Sequence, residues 1–121
     1  MEKSIQILSL IAVFCISFLA CDDNTGIEQI CKTDKPLEDI EWLENAKNYF
    51  VSSQNKDRIT QYDYNNEIVF FVEDCYDCAD AMGIVYNCEQ ETLCQFGGIA
   101  GFNTCPDFDS LATNAIILYV D

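Results

Sequence analysis

Cys75 and Cys78 form a Cys-x-x-Cys pair within EDCYDCAD, the stretch from Glu73 to Asp80. That spacing serves three chemistries. Two thiols so placed can make a thiol–disulfide redox centre, supply half of a tetrahedral zinc site, or tie the chain as structural bridges. Glu73, Asp74, Asp77 and Asp80 surround them with carboxylates that a hard cation such as calcium could use, although the spacing does not match the twelve-residue EF-hand loop. A zinc site would repeat the knuckle, whereas Cys88 and Cys94 are separated by five residues.

The redox alternative is an envelope thiol–disulfide oxidoreductase using Cys75 and Cys78. In its favour, Glu67 to Glu73, EIVFFVE, reads as a strand leading directly into the pair. Against it, residues 79–121 hold two glycine-rich turns and three more cysteines where a thioredoxin-like fold needs further strands and a helix. Four acidic neighbours also disfavour a thiolate, the form in which a redox cysteine attacks. These arguments favour staples and expect no catalytic residue, no metal and no cofactor.

The chain has 21 acidic residues against 6 basic ones, a net charge of −15, and no histidine. Without histidine it lacks the commonest general base and a common zinc ligand. Clustered cations for phosphate are missing as well, so nucleic acid is not an expected partner. The sequence QFGGIAGFN has a phosphate loop's glycines but no following lysine, and reads instead as a glycine turn passing close to a disulfide.

Around this chemistry the chain divides into three parts. Residues 1–20, with Lys3 and the apolar run from Ile5 to Leu19, read as a signal peptide too short to span a bilayer comfortably. Phe18-Leu19-Ala20-Cys21 resembles a bacterial lipoprotein box, which makes Cys21 the expected lipidation site. Acyl chains there would hold the protein on a membrane. Residues 21–34 then form the lipidated end and a polar tether, and residues 35–121 a single α+β domain. With Cys15 removed and Cys21 lipidated, Cys31, Cys75, Cys78, Cys88, Cys94 and Cys105 remain as an even set in an oxidising compartment. Three disulfides are expected, and fifteen pairings remain open.

One helix is expected from Lys35 to Val51, capped by Asp34, with Pro36 in its first turn and Leu37, Ile40, Leu43, Ala46 and Phe50 on one face. Trp42 falls off that stripe, at the edge of the core. Strands follow at Arg58 to Tyr64 and Glu67 to Glu73, joined by a tight Asn65-Asn66 turn, the second apolar on both faces and therefore central. Gly83 to Cys88 and Thr92 to Phe96 form a second hairpin, and Ala115 to Val120 a last strand. The expected fold is one N-terminal helix on an antiparallel sheet of about five strands.

The order of these residues resembles a family of small predicted lipoproteins of Bacteroidetes-type bacteria, described as a domain of unknown function. The resemblance rests on Trp42-Leu43, Gln61-Tyr62-Asp63-Tyr64, Val69-Phe70-Phe71, Cys75 with Cys78, Val85-Tyr86 and Cys94. It continues with Gly97-Gly98-Ile99-Ala100-Gly101 and Cys105-Pro106-Asp107-Phe108. In that family the first two cysteines are often adjacent, and Cys31 and Cys88 look like additions. The resemblance thus implies that Cys31 pairs with Cys88, leaving Cys75, Cys78, Cys94 and Cys105 as a shared set. It also implies an envelope location at the outer membrane, with Asp22-Asp23 favouring surface export. The expected role is non-catalytic: a lipid-anchored domain that binds an envelope protein or a cation.

Overall fold

The computed structural model describes residues 31–121; the expected signal peptide, Cys21 and most of the tether lie outside the described residues. The elements are α1 (Pro36–Asp39), α2 (Glu41–Ser52), β1 (Arg58–Tyr64), β2 (Glu67–Asp74), β3 (Met82–Tyr86), β4 (Thr92–Gly97), β5 (Phe102–Asn103), α3 (Phe108–Leu111) and β6 (Thr113–Val120). The strands make one six-stranded sheet in the order β5-β4-β3-β2-β1-β6, antiparallel at every pairing. The fold is a small α+β domain carrying three disulfides.

β2 is central, as its two apolar faces require. Val69 and Phe70 are adjacent, point to opposite faces, and are both fully buried. On one face Phe70 packs with Ile40, Leu43, Phe50, Ile59 and Cys31. On the other, Val69 packs with Tyr64, Val85, Cys94 and Phe108. α1 and α2 therefore cover one face, and α3 covers the other by inserting Phe108. The β1–β2 hairpin turns through Asn65 and Asn66 at φ 51° and 64°, the left-handed pair that a two-residue turn needs.

The expected continuous helix is broken. Ile40 is extended at φ −107° and ψ 105°, so α1 is a single turn and α2 starts afresh, with the Ile40 carbonyl accepting from Leu43 and Glu44. A β-branched residue favours that backbone, and the break buries Ile40 against the sheet. Asp34 does not cap the helix: Lys35 occupies the cap position of α1 without a side-chain capping bond, and Thr33 links its hydroxyl to the Lys35 amide and the Asp39 carboxylate. Within α2 the apolar face is as expected, with Leu43 and Phe50 buried. Trp42 is half-buried: its Nε1–H donates to the Cys88 carbonyl at 2.8 Å, and its ring meets Phe70 and Tyr86 edge-on.

β5 is the strand beyond the expected five. Gly97, Gly98 and Gly101 all take positive φ and turn the chain so that Phe96 faces Asn103 and Gly97 faces Phe102. The backbone this turn approaches belongs to Ala81, whose carbonyl accepts from Gly98 N at 2.9 Å. A Cβ at Gly97 would strike the same oxygen. Gly97→Ala combines that collision with a φ of 91° and is expected to cost about 2–3 kcal/mol, measured by urea unfolding.

Candidate functional site

The Cys-x-x-Cys stretch begins where β2 ends, opposite the start of β1, because Arg58 pairs in register with Glu73. Cys75 turns the chain at φ 52°, and the Cys78 amide closes a tight turn onto the Cys75 carbonyl at 2.9 Å. The two cysteines bond to each other, with Cα atoms 5.3 Å apart. This corner of the chain is therefore tied by one local bridge. Cys31 pairs with Cys88, as the family resemblance implied, and Cys94 pairs with Cys105.

Residues 55–58, which lead from the end of α2 into β1, hold this turn in place. The Tyr76 amide donates to the Lys56 carbonyl at 2.8 Å, and Arg58 lies over the Tyr76 ring with Cζ 4.8 Å from its centroid. Asp57 is completely buried. Its Oδ1 accepts the Cys75 amide at 2.9 Å, while Oδ2 has no hydrogen-bond partner among the described residues. The Asp57 carbonyl accepts from Asp121 N, and the Tyr76 hydroxyl donates to the Asp121 carbonyl. Sequence reasoning missed Asp57, since one aspartate in the run SQNKD carries no periodicity that marks it as buried.

The acids expected to crowd the sulfurs are mostly engaged. Glu73 takes a bidentate bond from Arg58, at 2.6 and 2.9 Å, and this hydrogen bonding holds the guanidinium further above its ordinary range. Asp77 pairs with Lys56 at 3.1 Å, and its hydrogen bond, then its charge, raise the lysine's pKa. Asp74 accepts from Asn55 at 3.2 Å. Glu73, Asp74, Asp77 and Asp80 thus do not converge into the calcium set that their sequence order suggested. Among the described residues, the groups close enough to share an ion are Cys75, Asp77 and Cys78, and in the oxidised protein two of these are spent on their own bond. The Cys75 sulfur also lies 3.7 Å from Asp77 Oδ1.

A shallow cleft of about 430 Å³ lies at the other end of β2, lined by Glu67, Ile68, Cys88 and Glu91 among others. It is far along the strand from the corner.

The family model described as Domain of unknown function (DUF6970) matches residues 45–121, from the middle of α2 to the end of β6. The chain belongs to this family. In the DUF6970 protein the matched span contains the whole sheet, the corner and the Cys94–Cys105 bridge, while Cys31 lies before it. No curated protein and no solved structure matches the chain.

Proposed function

We propose that this DUF6970 protein is a lipid-anchored domain of the bacterial envelope, attached through acyl chains on Cys21, that works by binding another envelope protein. The outer membrane is the expected site, with the domain facing outward. The observation that carries the binding role is β6. It lies at the sheet edge, paired with β1 on one side, and exposes Ile116, Ile117 and Val120, each more than half accessible. The strand TNAIILYV contains no charged residue in a chain of net charge −15. Soluble proteins usually blunt such an edge with lysine, proline or a covering element. An edge left apolar and uncharged invites an added strand, and the surrounding negative charge favours one with basic flanks.

Two measurements test this. Metabolic labelling with an alkyne fatty acid should mark the wild-type protein and not Cys21→Ser; label retained in the variant overturns the anchor. A short synthetic peptide alternating valine and threonine between lysine ends should bind saturably and protect β6 amides from hydrogen exchange. Ile117→Lys should weaken that binding by about tenfold. Peptide binding that ignores β6 or survives Ile117→Lys unchanged overturns the binding surface.

A further inference from the structure

The Cys75–Cys78 bridge differs from the other two in what it can do for stability. It joins residues three apart, against 57 for Cys31–Cys88 and 11 for Cys94–Cys105. Closing so short a loop restricts the unfolded chain least. Its exposure also differs. Cys78 is exposed and Cys75 half-buried, whereas Cys31 and Cys94 are buried in the two cores. Beneath the bridge lies the feature hardest to explain as structure alone. Asp57 is buried, holds the Cys75 amide with one oxygen, and leaves the other unpartnered among the described residues. Burying a carboxylate this way is costly, and a neutral asparagine could hold the same amide.

We infer that Cys75–Cys78 is a reversible redox site that exchanges electrons with a protein dithiol, with Cys78 as the attacked sulfur and Asp57 as the positioning residue beneath Cys75. This goes beyond the binding role proposed above and does not depend on it. A thiolate of the partner attacks the exposed Cys78 Sγ. The Cys75–Cys78 bond breaks, its electron pair leaves on Cys75, and Cys75 takes a proton from water. The partner's second thiolate then attacks its own sulfur in the mixed disulfide and releases Cys78 as a thiolate, which water also protonates. The partner dithiol is oxidised to a disulfide and Cys75 and Cys78 are reduced to thiols, two electrons in all. The freed Cys75 thiol has Asp77 Oδ1 close by as an acceptor, 3.7 Å from its sulfur in the bridged form.

The acidic sequence around the pair opposes this chemistry less than its composition suggests. Lys56 and Arg58 neutralise Asp77 and Glu73 at contact distance, and the buried carboxylate of Asp57, bonded to the Cys75 amide, has no ion pair among the described residues. That charge disfavours the departing Cys75 thiolate, so it slows opening of the bridge by any attacking thiolate.

The test uses the full chain in detergent, titrated with dithiothreitol, quenched by alkylation and mapped by mass spectrometry. Cys75–Cys78 is expected to open at a reductant concentration about tenfold or more below that needed for Cys94–Cys105 and Cys31–Cys88, and to reclose with oxidised glutathione. During reduction by glutathione the trapped adduct should be on Cys78. Asp57→Asn, which keeps an oxygen acceptor and removes the charge, should open about three- to tenfold faster, while Asp57→Glu restores the wild-type rate. All three bridges opening together, an adduct on Cys75, or an opening rate unchanged in Asp57→Asn each overturns the inference. The wild-type titration decides it even where an Asp57 variant fails to fold.

Discussion

Replacing Cys31 and Cys88 together by alanine is expected to lower the stability of the domain by about 4 kcal/mol, more than the loss of either other bridge. The bridge spans 57 residues and fixes the segment before α1 to the turn between β3 and β4. In the chain-entropy description, the free energy withdrawn from the unfolded state grows with the logarithm of the loop, giving about 4 kcal/mol here, about 3 for Cys94–Cys105 and about 2 for Cys75–Cys78. Packing adds to the first of these. Cys31 is 6% exposed and belongs to the core formed by Ile40, Leu43, Phe50, Ile59 and Phe70, while the Cys88 carbonyl anchors the Trp42 indole. Urea unfolding of the three double-alanine variants at neutral pH should give that ranking. Equal losses for the Cys31/Cys88 and Cys75/Cys78 pairs would contradict it.

Phe108→Ala is expected to cost about 3–5 kcal/mol, the range for truncating a buried aromatic. α3 is only one turn, yet Phe108 is 4% exposed and its ring meets Tyr62, Tyr64, Phe71 and Phe96 with centroids 5.0–5.9 Å apart. It is the plug that closes the face of the sheet opposite α1 and α2. Phe108→Leu should recover most of the loss, because it refills much of the volume. A small loss for Phe108→Ala would mean that this face tolerates a void, and that CPDF matters for something other than packing. The two aromatic-rich clusters share no residue, so the costs of Phe108→Ala and of the Cys31/Cys88 replacement should add.

The strands with clear alternation were legible in the sequence. EIVFFVE declares a central strand because both of its faces are apolar, and Asn65-Asn66 declares a hairpin because both residues tolerate positive φ. β5 and α3 were not legible, since each is shorter than the window in which a period shows, and both exist only through contacts with β4 or the far face of the sheet. The break at Ile40 was hidden by its own residue type: helical spacing places it on the apolar stripe whether or not the backbone there is helical. At the corner, the sequence named both cysteines and all four neighbouring acids but paired none of them. Arg58, Lys56 and Asp57 reach the turn through β1–β2 register, a relation no local pattern carries.

The grip of Lys56 and Arg58 on this corner has a proteolytic consequence. No lysine or arginine follows Arg58, so trypsin has no cleavage site in residues 59–121, and a digest leaves β2 through β6 in one fragment that retains two of the three bridges. Cleavage beside aspartate behaves differently. Asp77 separates Cys75 from Cys78, and Asp80 separates both from Cys88. The acids lying between these cysteines are thus the peptide boundaries by which their sulfur bonds can be told apart.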